Sequence, residues 1–299
     1  MSHLIRPMLA IVTLTLLVPF PSGAQQAKGK LPEGTKAQRD IEYVPGGSKA
    51  QTLDLFFPEK ADAPLPLIVW IHGGGWSAGS KENCPAMFLL GQGYAVASIN
   101  YRLSGEAKWP AQIEDCKAAI RWLRANAKKH NINPDRIGVW GSSAGGHLVA
   151  MLGTAGGVKE FDKGPNADVS SRVQAACDWF GPTDLLQMGA QSGPNSKINH
   201  DSPNSPESRL IGGAIQENKE KAATANPIKY VTKDGAPFLI MHGDQDPLVP
   251  LAQSQILHEA LQKAGVESTF HVVKGAGHGF GGPENQKMVQ AFFDKHLKK

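Results

Sequence analysis

The stretch Ile137-Gly138-Val139-Trp140-Gly141-Ser142-Ser143-Ala144-Gly145-Gly146-His147-Leu148-Val149-Ala150-Met151-Leu152 decides how this chain is read. Ile137 to Trp140 is an apolar run that reads as a buried strand, and His147 to Leu152 reads as a helix. The pentad between them is therefore a strand-to-helix turn. A turn that sharp crowds the residues two before and two after its apex, so both must be glycine, and the apex side chain points outward. Only Ser143 meets that spacing, because Trp140 breaks the frame for Ser142. In a chain with 33 Gly the pentad alone is a weak signal; its place between strand and helix gives it weight. The helix N-terminus behind it favours developing negative charge, which makes Ser143 the candidate nucleophile.

A nucleophilic serine needs a base, a group that fixes the base, and donors where the substrate carbonyl oxygen becomes negative. His72-Gly73-Gly74-Gly75-Trp76 follows the strand-like Leu67–Ile71, and its glycines let backbone NH groups face a ligand. The expected donors are Gly74, Gly75 and Ala144. Phosphate-cradle patterns are missing here. Among ten His, His278 stands out in Gly275-Ala276-Gly277-His278-Gly279-Phe280, after the last strand and before the terminal helix. His72 is expected to pin its own loop, His242 to close a strand end, and His147 to pack at a helix start. The acid comes from His242-Gly243-Asp244-Gln245-Asp246-Pro247-Leu248-Val249-Pro250. Asp244 suits a turn or cap, whereas Asp246 lies further out beside Pro247 and is the expected acid. The chain order Ser, Asp, His agrees with that assignment.

Around these motifs, strand-like runs alternate with helical patterns, the signature of an α/β fold with a mostly parallel sheet covered on both faces. The strands expected are Ile41–Val44, Thr52–Phe57, Leu67–Ile71, Ala95–Ile99, Ile137–Trp140, Val173–Trp179, Phe238–Met241 and Thr269–Val273. Helices are expected over Gln112–Lys129, Leu251–Ala264 and Asn285–Leu297. Residues from about Asp184 to Asn226 are rich in Ser, Pro, Asn and Gly; so long an irregular insertion reads as a lid or binding loop. His200, Asp201, Trp76, Trp109 and Trp179 are candidate pocket liners, with Trp76 and His200 the substrate-binding pair.

Composition excludes several classes. With 41% hydrophobic and 19% charged residues over 299 positions the chain can bury a full core, so disorder and coiled coil are out. The net charge of +4 is scattered, giving no nucleic-acid footprint. His3 and Arg6 precede an apolar run, Met8 to Phe20, and then Ser22-Gly23-Ala24. This layout is that of a signal peptide cleaved near Ala24, with residues 25–40 as a leader and 41–299 as the catalytic domain. The run is too short for the roughly 20 residues that span a bilayer, so no stable membrane anchor is expected. Cys84, Cys116 and Cys177 allow at most one internal disulfide and lack metal-ligand spacing. No metal or cofactor is expected.

The motifs HGGGW, GSSAGGH, HGDQDPLVP and GAGHGF, with Asn100-Tyr101-Arg102-Leu103 after a strand, resemble the hormone-sensitive-lipase-like esterases and the neighbouring bacterial feruloyl and acetyl-xylan esterase group. The resemblance runs from about Ile41 to Leu297. It implies an α/β-hydrolase fold, Asp246 and His278 as acid and base, and an oxyanion hole beside His72. It also implies short-chain acyl, acetylated-sugar or hydroxycinnamoyl esters as substrates, small or polysaccharide-bound. Many hormone-sensitive-lipase relatives carry a large N-terminal helical cap, for which this chain has too few residues before its first strand; that shifts weight to the polysaccharide-esterase branch. An exopeptidase of the prolyl-oligopeptidase type would use the same triad behind a gating domain, and a non-catalytic binder would have lost a triad member.

Overall fold

Val, Ile, Leu and Ala crowd the central strands because both faces of a parallel sheet are covered. In the computed structural model, which describes residues 31–298, eight strands form one sheet in the order β1-β2-β4-β3-β5-β6-β7-β8. They are β1 Lys36–Glu42, β2 Thr52–Phe57, β3 Leu65–Ile71, β4 Ala95–Ile99, β5 Ile132–Ser142, β6 Ala175–Trp179, β7 Phe238–Gly243 and β8 Ser268–Val273. β2 runs antiparallel to both β1 and β4, and the strands from β3 to β8 are mutually parallel. The proposed signal peptide and its cleavage site lie outside the described residues. Among those described, no helix is long and apolar enough to cross a membrane.

Side chains alternate across the sheet. Leu67, Val69 and Ile71 of β3 join a core with helices α1 (Ala111–Ala125), α2 (Ala144–Thr154) and α6 (Leu251–Lys263). Ile68 and Trp70 face the other way, into a core closed by the 3-10 helix Pro85–Gln92 and by α7 (Pro283–Leu297). In that second core Trp70, Trp140 and Trp179 meet edge to face at 5.3 and 4.9 Å, a favoured aromatic geometry. Cys116 is buried in the first core and Cys177 in the second, and all three cysteines are free thiols.

Several boundaries differ from the sequence reading: β5 starts five residues earlier, at Ile132, and α1 ends at Ala125 rather than Lys129. β1 begins at Lys36, inside the stretch read as a leader. It is an edge strand whose residues are nearly all exposed, so it carries no hydrophobic alternation to betray it. The insertion at 184–226 is not irregular throughout, since it holds the short helices α3 (Met188–Gln191), α4 (Pro206–Ile211) and α5 (Lys219–Ala223). Leu185, Met188, Leu210, Ile211 and Ile215 are buried and Leu186 and Ile198 half-buried, so most apolar residues of the insertion face the protein rather than solvent.

Both ends of the insertion are fastened. The buried Gln253 amide oxygen of α6 accepts from the NH groups of Thr183 and Asp184 at 2.6 and 2.8 Å. Trp109 Nε1 donates to Thr224 Oγ1 at 2.9 Å, and the Lys197 NH donates to the Pro247 carbonyl at 2.9 Å. The insertion is a docked roof.

Candidate active site

The carboxyl ends of β3, β5, β7 and β8 lie on one edge of the sheet, where open α/β sheets place their ligand sites. The loops that carry His72–Trp76, Ser143, Asp246 and His278 leave from these ends. Ser143 sits between β5 and α2 with φ 54° and ψ −124°, a conformation that residues with a side chain rarely adopt. What holds it there is close packing. A Cβ on Gly141 would stand 2.5 Å from the Gly145 carbonyl oxygen, and one on Gly145 would stand 2.6 Å from that of His72. The Ser143 NH also donates to the Trp179 carbonyl at 2.8 Å.

His278 faces both partners. Its Nδ1 donates to Asp246 Oδ2 at 2.8 Å, which leaves Nε2 as the lone-pair nitrogen, 3.0 Å from Ser143 Oγ. That tautomer is the one able to take the serine proton. The Asp246 side chain is fully buried, and its other oxygen accepts from the NH groups of Leu248 and Val249 at 2.8 and 3.0 Å. Burial works to raise this carboxyl, but hydrogen bonds from His242 and His278 outweigh it and hold it well below the usual carboxylate range. Asp246 is therefore held as a carboxylate. Asp244, the rejected candidate, accepts from the Gly275 NH at 2.7 Å, ties the acid loop to the base loop and makes no bond to His278.

The glycine loop lies directly against the serine turn, since a Cβ on Gly73 would come 3.2 Å from Ser143 Cβ. Gly74 and Gly75 have φ of 105° and 57°, a left-handed backbone that glycine adopts without strain and that turns the chain sharply beside Ser143. Ala144 is the first residue of α2, so its NH has no acceptor within the helix. His72 stacks on Tyr101 at 4.4 Å, and its Nδ1 pairs with the Gly73 carbonyl at 2.8 Å. Burial draws its pKa down to about 4, so it braces the loop as a neutral ring.

Four of the five candidate liners turn inward. Trp76 and His200 are each 1% exposed, Trp109 is 2% and Trp179 is 5%. This corrects the substrate-binding pair: Trp76 donates from Nε1 to His147 Nδ1, and His200 Nδ1 pairs with Glu207 Oε1 at 2.9 Å inside the roof. Asp201 is exposed and accepts from Gln216. The ring beside the base is instead Phe180, 4.7 Å from His278 with φ 43°, a residue that no periodicity marks out. A cavity of about 280 Å³ lies between roof residues 191–196 and the acid loop; it is lined by Asp246 and Pro247 but by neither Ser143 nor His278.

Behind the triad lie two buried groups: His242, expected to close a strand end and found at the end of β7, and Asp178, which no sequence signal marks. His242 Nε2 stands 3.2 Å from Asp246 Oδ2 and 3.0 Å from the Val249 carbonyl oxygen, while Nδ1 meets Ser254 Oγ at 2.7 Å. Asp178 on β6 is fully buried, accepts from the Gly181 NH at 2.9 Å and leaves its second oxygen unpartnered. Burial raises its pKa to about 7 in spite of the Gly181 bond and the nearby His242. The spacing of His242 four residues before Asp246 was the one available signal, and it is not specific.

The family model BD-FAE matches residues 53–261. The chain is 33% identical to the esterase LipQ of Mycobacterium tuberculosis over 81% of its own length and 56% of that protein's. It thus spans about half the length of the curated relatives it matches. A solved structure titled as a truncated form of a carbohydrate esterase from gut microbiota is 36% identical, with a TM-score of 0.80 over 88% of this chain and 97% of that one. A bifunctional GH43-CE protein of Bacteroides eggerthii is 38% identical, with a TM-score of 0.78 over 87% of this chain and 38% of that one.

Proposed function

The chain belongs to the BD-FAE family and has the α/β-hydrolase fold, and on that footing we propose that it is an exported serine carboxylic ester hydrolase. The observation that carries this reading is the unbroken line from Asp246 through His278 to Ser143, with contacts of 2.8 and 3.0 Å. Ser143 Oγ attacks the ester carbonyl carbon as its proton passes to His278 Nε2. The resulting oxyanion is held by NH groups of the Gly74-Gly75 turn and of Ala144. The C–O bond to the alcohol then breaks, and the alcohol leaves with the proton from His278. Water, deprotonated by the same nitrogen, releases the acid and restores Ser143. Asp246 stays a carboxylate throughout and keeps the imidazole in register.

The substrates proposed are short acyl, acetylated-sugar or hydroxycinnamoyl esters. Support comes from the roof, most of whose apolar residues point into the protein and so offer no wide lipid-binding face, and from the carbohydrate-esterase title of a similar structure. Export rests on the N-terminal pattern alone. A fluorophosphonate probe, read on a gel beside a panel of acetyl, butyryl, octanoyl and feruloyl esters and acetylated xylan, tests both parts. Labelling lost in Ser143→Ala with hydrolysis of at least one ester is expected; a wild type that neither labels nor turns over any of them overturns the proposal.

A further inference from the structure

The triad has a second imidazole behind it. His242 is fully buried at the end of β7, four residues before the acid, and its Nε2 faces two acceptors, Asp246 Oδ2 at 3.2 Å and the Val249 carbonyl at 3.0 Å. A nitrogen aimed at two acceptors must carry a proton. The same ring is held from the other side by Ser254 Oγ of α6, 2.7 Å from Nδ1. Asp246 Oδ2 therefore receives the His278 Nδ1–H from the front and has the His242 Nε2, paired with the Val249 carbonyl, 3.2 Å behind it, while Oδ1 receives two backbone NH groups.

We propose that His242 is a positioning residue for Asp246: its Nε2–H fixes the rotamer of the carboxylate and draws off part of its charge, and so sets how strongly Asp246 holds the His278 imidazole. The proposal rests on the triad reading above and adds to it a group that touches neither substrate nor reacting atoms. The charged or titratable groups facing His242 are Asp246 on its own loop, Asp178 on β6 and, beyond Asp246, His278; Phe180 supplies an apolar wall 6.3 Å away and α6 only the uncharged Ser254. Of these, Asp246 is the one within hydrogen-bond distance of Nε2.

Two consequences separate positioning from packing. Without the donor, Asp246 presents more charge to the imidazolium of His278, so the acidic limb of kcat/KM moves to higher pH, by about 0.5 unit. A carboxylate free to rotate also misplaces the base, which lowers kcat on the order of tenfold with KM little changed. Gln can place an amide NH near the Nε2 position, whereas Leu fills the volume without a donor and Asn is too short to reach Asp246.

The experiment is a kinetic and pH comparison of His242→Gln, His242→Leu and His242→Asn in the full chain, each checked by its melting transition and by fluorophosphonate labelling, which reports whether the triad reading itself stands. The expected result is a near-normal Gln variant beside Leu and Asn variants with lower kcat and a raised acidic limb. A folded Leu or Asn variant with wild-type kcat and an unmoved limb overturns the proposal, as does a Gln variant no better than either. Nitrogen-15 spectra of histidine-labelled wild type give a measurement that needs no variant: His242 must be protonated at Nε2 from pH 6 to 8, and a bare Nε2 refutes the assignment.

Discussion

The Nε1–H of Trp76 donates to Nδ1 of His147 across 3.2 Å, which joins the glycine loop to the helix behind Ser143. The other nitrogen of the same ring pairs with the Ala225 carbonyl at 2.7 Å, where the roof returns to the body. One neutral imidazole thus ties together the loop, the serine turn and the roof. Burial lowers its pKa to about 4, because a proton would put a charge in the core, and the Ala225 bond only partly offsets that cost.

Stability should therefore fall on acidification. The folded pKa of His147 lies below the ordinary 6.5, so its contribution is complete above about pH 6.5 and is lost as pH falls toward 4. His72 has the same sign and window. His147→Gln is expected to lower the melting temperature at pH 8 and to flatten its fall between pH 6.5 and 4. An unchanged slope in the variant would mean that the ring is not the group being titrated.

Ser143→Ala should abolish esterase activity, by more than about a thousandfold in kcat, and leave the melting temperature within a few degrees of wild type. Alanine keeps the Cβ, so the backbone at φ 54° is neither relieved nor worsened. Activity within tenfold of wild type would remove Ser143 from the mechanism.

Asp246→Asn and Asp244→Asn separate the two carboxylates of one loop. An Asn at 246 offers His278 Nδ1 an NH where it needs an acceptor, and the wrong tautomer costs on the order of 10⁴-fold in kcat. Asp244 touches the Gly275 NH and Lys274, so its loss should cost less than about tenfold, through a looser base loop. Initial rates ranked the other way would move the acid to Asp244.

Much of this site could be read in the sequence because each motif lies just past a strand of the parallel sheet, and that sheet brings the strand ends together. The serine turn, the glycine loop and the choice of Asp246 over Asp244 all follow from local spacing plus that one architectural fact. His242 could not be read so. Its pairing with Asp246 depends on how residues 243–249 fold back, and the same spacing fits a histidine that merely closes a strand. Trp76 and His200 looked like liners because aromatic and imidazole groups beside a catalytic loop usually face the cleft; here buried partners, His147 and Glu207, claim them instead. β1 was obscured by its own exposure, and α3, α4 and α5 by their length, since one or two turns leave too few positions for a helical period to show.

Acyl length should follow the roof. Acetyl to butyryl esters are expected to give higher kcat/KM than octanoyl esters, since each added methylene gains about 1 to 3 kcal/mol only until the pocket is full. Emulsified long-chain triglyceride should be a poor substrate. Rates that climb steadily with chain length and jump at an oil–water interface would point to a lipid-binding face that the inward-turned Leu210, Ile211 and Ile215 do not supply.

The left-handed backbone at Ser143 also sets catalysis against heat resistance. Glycine at position 143 would relax a conformation that costs a side-chain-bearing residue roughly 1 to 3 kcal/mol, equivalent to several degrees of melting temperature in a chain of this size. One gain in thermal tolerance therefore lies at the residue whose hydroxyl the chemistry requires. A library screened for survival of heating, without a turnover assay, would be enriched in dead enzyme carrying this change, and any lineage released from the need to hydrolyse esters would drift toward it.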